Sequence, residues 1–223
     1  VIDGLNFKGA RVPEPVVLAG RYGRIEKLDP DRHGAGLWDA FRDRPEIWDY
    51  MPYGPFADAQ AFRSWIAGRA RLTDPYVYAI VDPDSRALGI AALMAIRPDM
   101  GVIEIGHIAY APALQRTRLG TEAQYLFARY AFETLGYRRY EWKCNALNAA
   151  SRQAALRYGF SFEGIFRQHM IVKGRNRDTA WFSILDCEWP SRKAAFERWL
   201  APGNFDAAGR QKTSLAALIS AGG

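Results

Sequence analysis

The sequence predicts an α/β fold: a mixed, mostly antiparallel sheet with one parallel β-α-β crossover and helices on both faces. Three observations predict it. Strand-like runs bounded by Asp, Pro and Gly follow one another between residues 76 and 110. A long amphipathic segment separates the last of these from the next strand-like run, as a crossover between parallel strands requires. The 223 residues are 49% hydrophobic, with 12 Phe, 11 Tyr and 7 Trp, enough apolar surface to offset the entropy of ordering. A disordered chain is excluded.

The elements follow in order. Residues 1–13 read as a polar arm. A first strand is expected over 23–28, ended by Asp29-Pro30-Asp31, residues that also start helices. Helical segments come next over 34–42 and, after the turn-rich Tyr50-Met51-Pro52-Tyr53-Gly54-Pro55-Phe56, over 57–71. In the second, Ala61, Phe62, Trp65 and Ile66 share one face. Strands over 76–81, 87–96 and 102–110 are joined by short turns, which suits antiparallel neighbours. A helix over 120–134 buries Ala123, Leu126, Phe127, Tyr130 and Ala131 and stops at Gly136. The strand after it, 139–144, lies parallel to the strand before it. A short helix over 149–158 starts at Asn148 and ends on Gly159 in the left-handed conformation. Strands over 161–167 and 180–186 form a closing hairpin through the basic tip Lys173-Gly174-Arg175-Asn176-Arg177. Residues 190–200 form a last helix, and the Ala-, Gly- and Ser-rich stretch from Ala201 is expected to be partly disordered. The division is one domain over 14–190, then a C-terminal helix and flexible tail over 191–223.

Composition narrows the function. The net charge of +6 is interspersed, so an anionic small-molecule partner accounts for its sign as well as nucleic acid does. Cys144 and Cys187 are far apart in apolar surroundings and read as two buried free thiols. His33, His107 and His169 are scattered, so no metal site is expected. No run of eighteen apolar residues and no signal-peptide pattern occurs, so the expectation is a soluble, cytoplasmic protein without a membrane partner.

The chemically informative stretch runs from Glu104 to Ala123. A strand stops at Pro112, a polar loop follows, and a helix begins at Gly120-Thr121. The unpaired N–H groups and dipole of such a helix start can bind a pyrophosphate, and Arg116 and Arg118 add charge there. An ordinary strand–loop–helix connection with exposed arginines fits these residues equally well.

On these residues the chain resembles the GNAT acetyltransferase superfamily. The family's cofactor loop has Gln or Arg, two residues, Gly, one residue, then Gly or Ala. Here the stretch is Gln115-Arg116-Thr117-Arg118-Leu119-Gly120, with Arg118 in place of the first glycine. Asn148-Ala149-Ala150-Ser151 and Tyr158-Gly159-Phe160 resemble the family's second motif. The likeness covers about residues 23–190 and is nearest the RimJ/RimL-like branch, which acetylates ribosomal-protein N-termini and other amines. It implies that the backbone of Gln115, Arg116, Thr117, Arg118, Leu119 and Gly120, opening into Thr121, holds the pyrophosphate of acetyl-CoA. It implies that Ile108, Ala109 and Tyr110 pair with the pantetheine arm, and that Asn148 bonds the cofactor near the thioester. Arg118 is expected to keep an ordinary backbone conformation and point outward, toward the nucleotide 3′-phosphate.

Amine acetylation needs a base to take a proton, N–H donors for the oxyanion and a proton for the leaving thiolate. Glu104, set in an apolar run, is the candidate base, against the alternative of a structural ion pair. His107 is its rival, since strand alternation turns the two to opposite faces unless a bulge intervenes. The family's tyrosine acid falls at Ala155, so Ser151 is the candidate acid, with helix capping as its other reading. The aromatic loop 50–56 could line the acceptor pocket, while Trp142, Trp181 and Trp189 read as core. The acceptor is expected to be an amine-bearing small molecule or a peptide N-terminus, with a homodimer left open. Two other classes remain: a non-catalytic acyl-CoA-binding protein, and a ribosome- or RNA-associated module using the basic tip.

Overall fold

Every residue of strand β3 (Tyr76–Val81) is buried, which requires cover on both faces of the sheet. Alternation along the strand sends Tyr76, Tyr78 and Ile80 to one hydrophobic cluster and Val77, Ala79 and Val81 to another. In this computed structural model, which describes residue 4 and residues 6–222, β3 lies in a single eight-stranded sheet. The others are β1 (Val17–Ala19), β2 (Arg24–Lys27), β4 (Ala87–Arg97), β5 (Val102–Tyr110), β6 (Arg139–Asn145), β7 (Ser161–Val172) and β8 (Arg175–Leu185). Their order is β1-β2-β3-β4-β5-β6-β8-β7, antiparallel throughout except for β5 against β6. The mixed α/β architecture is the one the sequence predicts.

Helices α1 (Pro30–Phe41) and α2 (Ala59–Ala70) cover one face with Leu37, Phe41, Phe62 and Ile66. Helix α3 (Arg118–Arg129), α4 (Ala149–Arg157) and α5 (Trp189–Leu200) cover the other. The expected stripe of α3 is fully inside, with Ala123 and Phe127 at 0% exposure and Leu126 at 1%. Its last turn widens into a π turn over Tyr130–Leu135 and stops where Gly136 takes φ 81°. Because α3 crosses from β5 to β6, those two strands run parallel.

Several boundaries differ from expectation. Helix α1 begins at Pro30, not at residue 34, because Asp29 Oδ1 accepts from the amides of Asp31 and Arg32 at 2.9 and 3.1 Å. Strand β1 is only three residues long and too short to show a pattern. The hairpin strands β7 and β8 continue to a two-residue turn at Lys173-Gly174, where φ is 49° and 72°. Residues of the polar arm are pinned, with Ala10 N donating to Pro98 O at 3.0 Å and Arg11 N to Leu135 O at 2.8 Å; residues 1–3 and 5 lie outside the described residues. The stretch after Ala201 is ordered, against expectation. A short helix, α6 (Leu215–Ser220), buries Leu215 and Leu218 against α5 and α4; residue 223 is not described. Cys144 is buried as expected, but Cys187 is exposed, in the turn that follows β8. Among the described residues no helix is long and apolar enough to cross a membrane.

One buried carboxylate ties the N-terminal strands to α3. Glu122, 4% exposed, accepts from the amides of Arg21 and Tyr22, both at 2.7 Å. Glu122→Ala strands both donors, so unfolding in urea should show a loss of about 2 kcal/mol.

Candidate active site

Strands β5 and β6 pair only from Val102↔Arg139 to Ile105↔Trp142. Beyond that point β5 stays with β4 and β6 stays with β8, so the parallel pair splays open. Beyond the split the β6-facing edge of β5 has no strand partner at Ile108 and Tyr110, while Ala109 pairs with Ile90 of β4. Ile108, Ala109 and Tyr110 border a cavity of about 350 Å³ with Trp142, Asn148 and Ser151. A second cavity of about 420 Å³ shares Ile108, Trp142, Asn148 and Ser151 with the first and extends to Glu104 and His107. The two therefore form one passage along the splay.

At its outer end lies the polar loop. Thr117 caps α3: its Oγ1 accepts from Gly120 N at 3.0 Å and donates to Leu114 O at 2.7 Å. The amides of Arg118 and Leu119, at the start of the helix, have no intrahelical acceptor. Gly120 is required by close approach, because a Cβ there would stand 2.6 Å from Leu114 O. Gln115 Nε2 donates to Tyr110 O at 2.9 Å, and Arg157 Nη1 reaches Thr121 Oγ1 at 3.1 Å. Arg118 is helical, as expected of a residue replacing glycine without strain; the left-handed residue in the loop is Arg116, at φ 58°. The Arg118 side chain is half-exposed and borders an open cavity of about 600 Å³ with Arg86 and Arg116. It stacks over Phe205 at 4.1 Å and faces Tyr22 at 5.6 Å, so the ordered C-terminal segment holds it.

At the inner end a bulge changes the strand reading. His107 takes φ 49°, and the register with β4 slips between Ile90 and Ala92. Glu104 and His107 consequently line the same cavity, rather than opposite faces. Glu104, 6% exposed, receives Lys143 Nζ at 2.9 Å, and the same ammonium lies 2.7 Å from Glu141. Burial pushes the Glu104 carboxyl above the usual range, with Lys143 opposing. Both readings of Glu104 thus describe it: it is ion-paired and it faces the cleft.

His107 is pulled down to about 4 by burial and by the charges of Arg69 and Arg177, so it is neutral at physiological pH. Its Nδ1 lies 2.7 Å from the Tyr53 hydroxyl, and the rings stack at 5.6 Å. Burial keeps Tyr53 a neutral phenol. A phenol donates more readily than it accepts, which assigns the imidazole proton to Nε2. Ser151 receives Trp142 Nε1 at 3.0 Å on its Oγ, leaving its own proton free to donate. Asn148 Oδ1 caps α4 by accepting from Ser151 N at 3.0 Å.

Sequence reading missed part of this cluster. Trp142 and Trp189 are core as expected, though Trp142 also lines the inner cavity; Trp181 is half-buried and lines it too. Lys143 and Arg177 line the cleft as well, and Tyr53 meets it through His107. Alternation along β8 carries the missed signal, since Arg177, Thr179 and Trp181 share one face. The loop 50–56 does meet the cavity, through Tyr50, Met51 and Pro52. The basic tip is exposed from Lys173 to Asn176, and Lys173 Nζ ties it to Trp48 O at 2.8 Å. Among the described residues no group of three His, Cys, Asp or Glu could hold a metal.

A mixed sheet splayed at its parallel pair, with a capped helix start beside the opening, defines an α/β domain with a cleft between its parallel strands. The model of the acetyltransferase (GNAT) domain matches residues 24–161, and the chain belongs to that family. It is similar to a GCN5-related N-acetyltransferase of Brucella melitensis, with 47% identity, a TM-score of 0.94, and coverage of 96% of this chain and 99% of that one. A GNAT-family protein of Chromobacterium violaceum is 44% identical at a TM-score of 0.79, over 83% and 93% of the two chains. RimL, the ribosomal L7/L12 alpha-N-protein acetyltransferase solved with coenzyme A, shares the fold at 17% identity and a TM-score of 0.66, over 77% and 99%. The search of curated proteins gives no match.

Proposed function

We propose that this chain transfers the acetyl group of acetyl-CoA to a primary amine by direct attack. The observation that carries the reading is the splay of β5 from β6 beside the start of α3, a slot with an unpaired stretch of β5 edge on one wall and amides without an intrahelical acceptor near its mouth. The amides of Arg118 and Leu119 would meet the pyrophosphate, and the edge of β5 at Ile108, Ala109 and Tyr110 would pair with the pantetheine amides. Asn148 and Ser151 then border the thioester, in the stretch common to both cavities.

In the reaction the amine nitrogen forms a bond to the thioester carbonyl carbon while Glu104 accepts the nitrogen's proton. A raised carboxyl is better matched to that transfer than an ordinary one. The C–S bond then breaks while the Ser151 hydroxyl donates a hydrogen bond to the departing thiolate, which is protonated from solvent as Glu104 returns its proton there. His107, with hydrogen on Nε2, is a donor toward the cleft rather than a base. No nucleophile of the protein is acylated.

The test is calorimetry of the folded chain with acetyl-CoA, followed by thiol release over an amine panel. Binding with amine-dependent release of CoA is expected. No heat at millimolar acetyl-CoA would remove the assignment, and binding without turnover on any amine would leave a non-catalytic acyl-CoA-binding protein.

A further inference from the structure

The inner cavity holds a charge that the reaction above does not use. Arg177 lines it from β8, on the same face as Thr179 and Trp181. The other cationic side chains of this face are engaged. Lys143 contacts Glu104 and Glu141, Arg139 contacts Glu141 and Glu163, and Arg97 reaches Glu141 at 3.6 Å. Arg177 makes no ion pair among the described residues, and its Nε is buried without a hydrogen-bond partner. Trp181 Nε1, on the same wall, is buried and unpartnered too. Both residues line the cavity, and buried donors without partners are costly unless something accepts from them.

The charge balance says what that acceptor carries. Across the linked network Glu104, Glu141 and Glu163 are negative and Lys143, Arg139, Arg97 and Arg177 positive, so with His107 neutral one cation is in excess. A polyamine would add a second positive charge to that surplus. A zwitterion would not. Arg177 feels the field of Glu104 without touching it, so one ligand can place an amine at Glu104 and an anion at Arg177. Guanidinium and indole N–H together suit the two oxygens of a carboxylate. Met94, Met170 and Trp142 supply an apolar stretch of the remaining wall, beside the polar Asn145, His169 and Thr179. The cleft is bridged where Lys173 meets Trp48 O and where the Tyr50 hydroxyl donates to Leu147 O at 3.3 Å.

We infer that the acceptor is a small amine bearing a carboxylate, an amino acid or close analogue with an apolar or aromatic side chain, and that Arg177 receives the carboxylate. The inference rests on the acetyl-transfer reading and narrows its substrate. A peptide end lacks the carboxylate beside its amine, so Arg177 selects against it.

The experiment compares phenylalanine and methionine with phenylalaninamide, methioninamide and a Phe-initiated tetrapeptide, using the full chain and acetyl-CoA. The acids are expected to be the better substrates. Truncating one member of a buried ion pair weakens binding by about 30-fold or more, so Arg177→Gln should raise KM for the acids by that factor. It should leave the amides nearly unchanged, and Arg177→Lys should recover part of the loss. Amides accepted as well as acids, or an equal loss on acids and amides in a folded Arg177→Gln, would overturn the inference. Equilibrium binding of the same pairs separates the two claims. A chain that prefers the acid yet acetylates nothing retains this inference and loses the catalytic one; a chain that acetylates amides and polyamines alone does the reverse.

Discussion

Glu104→Gln should lower kcat by about 10²- to 10⁴-fold, the range that a positioned general base contributes. Glutamine keeps the shape and one acceptor for Lys143 at 2.9 Å but cannot take a proton. Calorimetry should show unchanged acetyl-CoA affinity, because Glu104 lies at the inner end of the passage and the loop 115–120 at the outer end. The pH profile gives the sharper reading. A base must be ionised, so the rate rises as pH passes its pKa and is lost below it. Burial raises the Glu104 carboxyl, so the acidic limb should lie above the ordinary carboxylate value and vanish in Glu104→Gln. His107 titrates at about 4 and contributes no limb near neutrality, so His107→Ala should keep it. If Glu104→Gln retains most of the wild-type kcat, Glu104 is a structural partner of Lys143 and nothing more.

Gly120→Val should weaken acetyl-CoA binding by about 10- to 100-fold, equivalent to about 1–3 kcal/mol of overpacking. The added Cβ would stand 2.6 Å from Leu114 O, a backbone atom that moves only if the loop does, and 3.4 Å from the Tyr110 ring. The loop carries the amides that would meet the pyrophosphate, so displacement there is read directly as a rise in Kd by titration calorimetry. Circular dichroism should show the fold retained. Binding as tight as in the unsubstituted chain would mean that the start of α3 takes no part in holding the cofactor.

Most elements of the fold were legible because their signals are local. Periodicity marked α3, proline and aspartate bounded β3 and β4, and Asn148 and Gly159 delimited α4. Other features had little local signal. Strand β1 is too short for alternation, and α6, though capped by Ser214, is only six residues long and depends on the surface that Leu215 and Leu218 find on α5 and α4. In the site, Glu104, His107, Ser151 and Asn148 could be named individually from their types and positions. Lys143 and Arg177 could not, since their meaning lies in whether a carboxylate faces them across the sheet.

The amino-acid order by itself determined the mixed α/β class, the crossover, the position of the polar loop and the residues suited to acid–base work. These depend on backbone propensity and on apolar spacing over a few residues. Only the tertiary structure decided that Glu104 and His107 share one cavity, that Arg118 lies against the C-terminal segment, and that Arg177 is left without a partner. Each of these is a relation between strands or segments far apart in the chain, set by a bulge, a splay and a packed tail, and electrostatics follows distance in space rather than separation in sequence.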